Sequence, residues 1–65
     1  MRQGINSDLQ IVVGRVYAQT ITGTTFKHKV LRFAGMINKT KYLQVENIET
    51  GHKQIIPETE LNDLP

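Results

Sequence analysis

The sequence of 65 residues contains no cysteine, no tryptophan and only two histidines. Without cysteine there is no disulfide framework, and two histidines alone do not complete the four-ligand set of a structural zinc site. We therefore expect neither a metal nor a cofactor. A chain of this length has room for one core and buries only about 60% of the surface that its unfolded form exposes, so packing or self-association must stabilise it.

Long apolar runs are also missing. The runs "IVV" at 11–13 and "VLRFAGMI" at 30–37 fall far short of the roughly 18 residues that span a bilayer. The start, "MRQGINSDLQ", is polar and lacks the apolar stretch of a signal peptide. We predict a cytoplasmic protein with no membrane partner, in which residues 1–9 are a flexible N-terminal segment and residues 10–65 form a single domain.

Threonine, isoleucine and valine are plentiful whereas alanine is scarce, a composition that favours strands over helices. The stretch "QIVVGRVYAQ" at 10–19 has apolar residues around Gly14, which predicts a strand with a bulge or a close backbone approach at that glycine. If Val12 and Val16 of this strand face the core, Arg15 and Tyr17 face solvent.

The middle of the chain predicts a hairpin and a bent strand. "TITGTT" at 20–25 is typical of a hairpin tip, with Gly23 taking a positive φ that threonine resists. "FKHKVLRFAGMI" at 26–37 is long enough for a strand that bends, and neither alternation of its residues is cleanly amphipathic. Such a strand is common where a chain curves between the two sheets of a small barrel. Asn38 then predicts a turn.

The last third of the chain predicts a second hairpin and a short helical turn. "YLQVENIE" at 42–49 alternates clearly, and a tight turn at Gly51 connects it to the strand "HKQIIP" at 52–57. Pro57 has no N–H to donate and ends that strand. The "PETEL" segment fits a single 3-10 turn that returns Leu61 to the core.

These assignments predict the residues of the core but do not decide which residues of the bent strand face it. On the bent strand, Val30 and Phe33 compete for the inward positions. The other predicted core residues are Val12, Val16, Leu31, Leu43, Val45, Ile55 and Leu61.

The order of these elements over residues 10–62 resembles the architecture of SH3-like barrels: "GRVY", a Thr/Gly-rich loop, a long bent strand, the "YLQVENIETGHKQII" hairpin and "PETEL". The resemblance implies an all-β fold, a small SH3-like barrel of about five strands with a 3-10 turn before the last strand. Because small barrels host many unrelated functions, the resemblance implies no function and no binding residues.

Charge is divided unevenly along the chain. Residues 1–45 carry seven Lys or Arg against Asp8 alone, a balance of +6, whereas residues 46–65 carry Lys53 against five acids, a balance of −4. The net charge of +2 hides this division. On a small domain, such a separation places a basic face opposite an acidic edge, and a basic face attracts polyanions.

Nucleic acid, either DNA or RNA, is the partner that this pattern favours. Lysines and arginines would contact phosphates, while an exposed tyrosine would stack on a base. The opposing interpretation is that the basic strands pair with the acidic C-terminal strands, so that opposite charges meet across the ladder. The candidate nucleic-acid-binding residues are Arg15, Tyr17, Lys27, Lys29, Arg32, Lys39, Lys41 and Tyr42.

Other candidate sites have weaker signals. His28, in "KHK", is predicted to be a solvent-facing strand residue, because no carboxylate or second ligand lies at useful spacing. His52 is predicted at the exit of the second hairpin. The threonines of the loop at 20–25 have no base placed near them, so we expect no enzyme activity.

We therefore predict a small binding module. Its short length would suit a phage or mobile-element accessory protein. Nucleic acid is favoured as its partner. The alternative is a protein adaptor or assembly subunit, including a homo-oligomer, that uses an exposed strand edge or the patch formed by Phe33, Met36 and Ile37.

Overall fold

A computed structural model of the chain describes residues 11–64, which form an antiparallel sheet followed by one 3-10 turn. The all-β prediction is confirmed, and the sheet is open, with its strands neighbouring one another in chain order. The predicted flexible segment 1–9 lies outside the described residues. The elements are β1 (Val16–Ile21), β2 (Thr24–Ile37), β3 (Thr40–Asn47), β4 (Lys53–Pro57) and the 3-10 turn Glu58–Glu60.

The first two hairpins close through two-residue turns at the predicted positions. Thr22 and Gly23 connect β1 to β2 with φ values of 49° and 81°, and Asn38 and Lys39 connect β2 to β3 with φ values of 51° and 68°. Positive φ at both turn residues gives a backbone twist that matches the twist of the flanking strands. Glycine and asparagine are residues that adopt this conformation readily, which explains why the sequence signal was clear.

The turn between β3 and β4 is held by Asn47. Its side-chain Oδ1 accepts hydrogen bonds from the backbone N–H of Glu49 (2.8 Å) and of Thr50 (3.1 Å). Its carbonyl oxygen accepts from the Gly51 N–H at 2.7 Å, and Gly51 has a φ of +80°. The predicted tight turn at Gly51 is therefore confirmed.

The prediction that Gly14 lies within a strand is wrong, because the chain turns at this glycine before the first strand begins. The Arg15 N–H donates to the Val12 carbonyl at 3.2 Å, and Gly14, with a φ of +96°, occupies the third position of this turn. A positive φ at that position is typical of a type II turn and favours glycine. The Gly14 N–H then donates to the carbonyl of Val30 at 2.8 Å, which attaches the turn to β2.

Strand β2 is long and irregular, as predicted. Its pairing with β3 shifts register between Val30 and Arg32 and again between Phe33 and Gly35. Each shift adds a residue to one strand only, so the side chains beyond it change their alternation. This is why neither simple alternation of residues 26–37 was amphipathic.

The core lies on one side of the sheet, here called the inner face; the opposite side is the outer face. The predictions of Leu43, Val45 and Leu61 as core residues are confirmed, and Val30 occupies the contested position on β2, with Phe33 50% exposed. Ile11 packs against the core from the start of the described chain. The core residues are Tyr17, Val30, Leu43, Val45, Ile56 and Leu61.

Four core predictions were wrong or only partly right, because β1 and β4 are displaced by one residue from their predicted facing, Val12 lies in the turn before β1, and Leu31 lies at a register shift of β2. Val12 is 45% exposed and Ile55 is 54% exposed, while Val16 and Leu31 are half-buried. Tyr17 is buried in place of Val16, since its hydroxyl accepts a hydrogen bond from the Val12 N–H at 2.8 Å and the ring therefore enters the core without an unsatisfied polar atom. The predicted outward facing of Tyr17 is wrong.

After the 3-10 turn the chain returns to the free edge of β1. Leu61 is fully buried, and Asn62 and Ala18 exchange two backbone hydrogen bonds of 2.8 Å. This bridge connects the end of the chain to the first strand. No helix within residues 11–64 is long and apolar enough to cross a membrane.

Candidate nucleic-acid interface

Three predicted cations share the outer face of β2. Lys27 and Lys29 flank the buried His28 and precede the buried Val30, so strand alternation directs both lysines away from the core. Arg32 is opposite Gln44 of β3, and its Nε donates to the Gln44 Oε1 at 2.8 Å. All three cations are exposed, and they form a basic row along one strand.

The other predicted cations lie elsewhere. Lys41 is opposite Met36 and alternates with Leu43, which places it on the inner side of the sheet, where its Nζ lies 5.8 Å from the centroid of the Phe33 ring. Lys39 is exposed in the turn between β2 and β3, and Arg15 is exposed just before β1. The cations of residues 27–41 therefore do not share one face, because two register shifts and a turn separate them.

The two predicted tyrosines have different surroundings. Tyr17 is only 1% exposed, so it is not available to stack on a base. Tyr42 is half-buried on the outer face, between Gly35 of β2 and Pro57 of β4. Because Gly35 has no side chain, the cross-strand neighbour of Tyr42 on β2 does not cover its ring.

One acid interrupts the basic surface. Glu46 of β3 is opposite Lys29 of β2 on one side and Lys53 of β4 on the other. Positive and negative charges therefore alternate across three strands in this row. This arrangement is the one expected if the basic strands pair with the acidic C-terminal strands. Farther along β2, Arg32 is opposite the neutral Gln44 instead, so that part of the basic row has no acid as its cross-strand partner.

A polar cluster on the inner face was missed by sequence reasoning. His28 is 2% exposed, so the prediction of a solvent-facing histidine is wrong: it is opposite Tyr17 and Asn47, both of which are buried. His28 Nε2 lies 2.8 Å from the Oε1 of Gln19, and the Nε2 of Gln19 donates to Glu60 Oε1 at 2.7 Å. The signal that was available was the alternation His28 to Val30, which pairs the histidine with a core residue.

Burial determines the charge of this histidine. Removal from water, and secondarily the nearby charge of His52, lower the pKa of His28 below its ordinary value. The ring is therefore favoured in its neutral form. The Nδ1 atom of His28 is buried and has no hydrogen-bond partner.

The patch predicted for a protein partner is exposed. Phe33, Met36 and Ile37 each present about half or more of their surface to solvent. Phe33 and Met36 are on the side of the sheet that carries Lys41, whereas Ile37 alternates to the other side. The patch thus surrounds the end of the β2–β3 hairpin rather than forming a flat surface.

Comparison of the chain with protein-family models, with curated proteins and with solved structures gives no match. The chemistry of the surface therefore has to carry the functional argument.

Proposed function

We propose that the protein is a non-enzymatic binding module whose outer sheet face contacts the phosphate backbone of a nucleic acid. The supporting observation is the row of exposed cations on β2, Lys27, Lys29 and Arg32. Lys27 and Lys29, two residues apart on one face, are separated by about 6.6 Å, since each residue of a strand rises about 3.3 Å. Arg32 lies farther along the same face, beyond the register shift that follows Val30, so a single nucleic-acid strand lying along β2 would pass all three cations.

Tyr42 gives this face a group for bases as well as for phosphates. Its ring is on the same face as Arg32 and Gln44, beside the open position at Gly35. A base that stacks on an aromatic ring contributes about 1–3 kcal/mol and needs no specific sequence. The proposed partner is therefore single-stranded DNA or RNA, read mainly through its backbone.

We also propose that the fold is a small SH3-like barrel in which the segment at Asn62 serves as a short fifth strand against β1. The backbone exchange between Ala18 and Asn62 supports this, as do the register shifts that bend β2. A cytoplasmic location and a role as a phage or mobile-element accessory protein belong to the same proposal, the latter on the ground of chain length alone.

A salt titration with two matched lysine variants tests the nucleic-acid proposal. Binding of a fluorescent single-stranded oligonucleotide should weaken steeply as salt rises, and Lys27→Gln should reduce the slope of log K against log salt by about 0.7. Lys41→Gln removes the same charge from the opposite side of the sheet, so it should change the slope much less. Equal effects of the two variants, or no binding at low salt, would reject the outer face as the interface.

The second candidate is a protein adaptor or homo-oligomer joined through the hairpin end. The supporting observation is the exposure of Phe33, Met36 and Ile37. Such an association would bury apolar surface and respond little to salt, unlike phosphate binding. Sedimentation velocity of wild type and of Met36→Lys distinguishes the two: a salt-insensitive dimer that the substitution dissociates supports the adaptor.

A further inference from the structure

The inner face ends in a cleft near the β1–β2 and β3–β4 turns. It has a volume of about 270 Å³, just below the range of roughly 300–1,000 Å³ that is typical of small-molecule pockets. Apolar side chains, Ile21 and Phe26, form part of its wall. The rest of the wall is polar and consists of Gln19, His28, Asn47, Thr50, His52 and Gln54.

The hydrogen bonds around the cleft fix the tautomer of His28. The amide nitrogen of Gln19 donates to the carboxylate of Glu60, so Gln19 Oε1 is the acceptor left for His28. His28 Nε2 must then carry the proton and donate to Gln19. In the neutral ring this leaves Nδ1 as a bare acceptor, and Nδ1 is buried without a partner.

The residue opposite His28 on the neighbouring strand carries a donor. Asn47 is the direct cross-strand partner of His28, and both side chains are on the inner face. Asn47 Oδ1 already accepts from two backbone N–H groups of the β3–β4 turn, so the side chain has its amide nitrogen, Nδ2, left to donate. Directly opposed residues have Cβ atoms about 5 Å apart. The cleft therefore pairs one acceptor with one donor at neighbouring positions.

We propose that this cleft binds a nucleobase by its edge, with an N–H of the base donating to His28 Nδ1 and an adjacent acceptor of the base receiving a hydrogen bond from Asn47 Nδ2. Nucleobases are planar and carry neighbouring donors and acceptors on their edges, and proteins hold unstacked bases by such edge contacts together with an aromatic ring. Phe26 supplies the ring. Because Nδ1 is closed to solvent, the base reaches it only after a small movement of the cleft wall, which includes the exposed residues Thr50 and His52.

This site does not depend on the outer face. Its polar groups project from the inner face, whereas Lys27 and Lys29 project from the outer one. A nucleoside without phosphate is therefore the proper probe, because it cannot bind through the basic row. Failure of the cleft and failure of the outer face are then separate results.

The experiment is a titration of the isotope-labelled protein with adenosine and with cytidine, followed by NMR. Free protein should show the Nδ1 nitrogen of His28 at the position of an unprotonated ring nitrogen, and saturation with nucleoside should move it toward that of a hydrogen-bonded acceptor while shifting the Phe26 ring signals. Asn47→Asp keeps an oxygen for the two turn N–H groups but removes the donor, so it should weaken nucleoside binding about tenfold. Val13→Ala, at an exposed position that belongs to neither the basic row nor the cleft, should leave it unchanged.

Three outcomes would overturn the proposal. The first is that neither nucleoside shifts His28 or Phe26 although both variants retain folded spectra. In the second, His28 Nδ1 already has the signal of a hydrogen-bonded acceptor in the free protein and nucleoside leaves it there, which means that water fills the position. In the third, propionamide shifts the same signals and nucleosides do not, which assigns the cleft to carboxamide side chains instead.

Discussion

The two ends of the sheet's inner side distribute polar and apolar residues in opposite ways. At the cleft end, near the β1–β2 and β3–β4 turns, Gln19, His28 and Asn47 are buried. At the hairpin end, near the β2–β3 turn, Phe33 and Met36 are exposed. Residue type alone would predict the reverse, because large apolar side chains are usually the ones that folding buries.

Strand overlap explains the difference. β1 pairs with β2 only as far as Lys29, and β4 pairs with β3 only from Tyr42 to Glu46. Met36 lies beyond both limits, where no strand within residues 11–64 pairs with either edge of the β2–β3 hairpin. Phe33 lies beyond the limit of β1 only, since its partner Leu43 still pairs with Ile56 of β4. The cleft end, by contrast, includes β1, β2 and β3 and is connected through Gln19 to Glu60 of the 3-10 turn. On β2, burial therefore follows the presence of β1 at its edge rather than the polarity of the side chain.

The largest expected effect compares two residues that face each other across the ladder. Leu43 is buried and its cross-strand partner Phe33 is half exposed. Leu43→Ala should lower the free energy of unfolding by about 2–5 kcal/mol, because it removes buried methyl groups and leaves a cavity. Phe33→Ala should lower it much less. Urea denaturation of both variants measures the difference, and equal losses would show that the hairpin end is packed in solution.

The way in which the strands pair also limits how much of the structure could be predicted from the sequence. The positions of the turns at Gly23, Asn38 and Gly51 were predicted because each depends on a local conformation that few residues adopt. The facing of Leu43 and Val45 was predicted because β3 alternates without interruption. Local patterns of this kind are present in the sequence itself.

The facing of the first strand and the site on the inner face could not be predicted, because both depend on contacts between residues that are distant in the sequence. Tyr17 is buried because its hydroxyl finds the backbone of Val12, and His28 is buried because β1 and β3 place Tyr17 and Asn47 beside it. The separation of Lys41 from the lysines of β2 depended on register shifts that alternation cannot reveal. Each of these features requires knowledge of which strands are neighbours.

The next effect concerns the turn that positions Asn47 at the cleft end. Gly51 has a φ of +80°, a backbone conformation that alanine disfavours. Gly51→Ala should therefore destabilise the domain by roughly 1 kcal/mol. Gly51→Asn should cost less, since asparagine tolerates this conformation better. Thermal unfolding of the two variants measures the order, and indistinguishable melting temperatures for alanine and wild type would contradict the backbone argument.

A pH series tests whether the cleft end is closed to water. Burial, and next the charge of His52, lower the pKa of His28, so between its folded value and its ordinary value of 6.5 the unfolded chain binds more protons than the native protein. The stabilisation is complete above about pH 6.5 and is lost as pH falls through the folded pKa, with a slope of at most about 1.4 kcal/mol per pH unit for one proton.

The control for this series is the second histidine. His52→Gln removes only the smaller cause of the shift, so most of the slope should remain, whereas His28→Gln should remove it. Urea denaturation at several pH values between 4 and 8 provides the measurement. A slope that survives in His28→Gln would mean that another group titrates and that the histidine is not closed to water.

The smallest expected effect concerns Lys29 on the outer face. It decides whether this lysine is available to a phosphate or is paired within the sheet. Lys29 and Glu46 are directly opposed, and a cross-strand pair of opposite charges contributes roughly 0.2–1 kcal/mol. A double-mutant cycle with Lys29→Ala and Glu46→Ala should give a coupling in this range that disappears at high salt. Lys41 and Phe33 at the hairpin end provide a control pair for this cycle, because the lysine there is near an aromatic ring rather than opposite an acid. If Lys29 and Glu46 show no coupling while Lys29→Gln weakens oligonucleotide binding, Lys29 is available to contact a phosphate. If instead the coupling is near 1 kcal/mol and Lys29→Gln does not change oligonucleotide binding, Lys29 is a partner of Glu46 within the sheet. The interface would then lie nearer Arg32 and Tyr42.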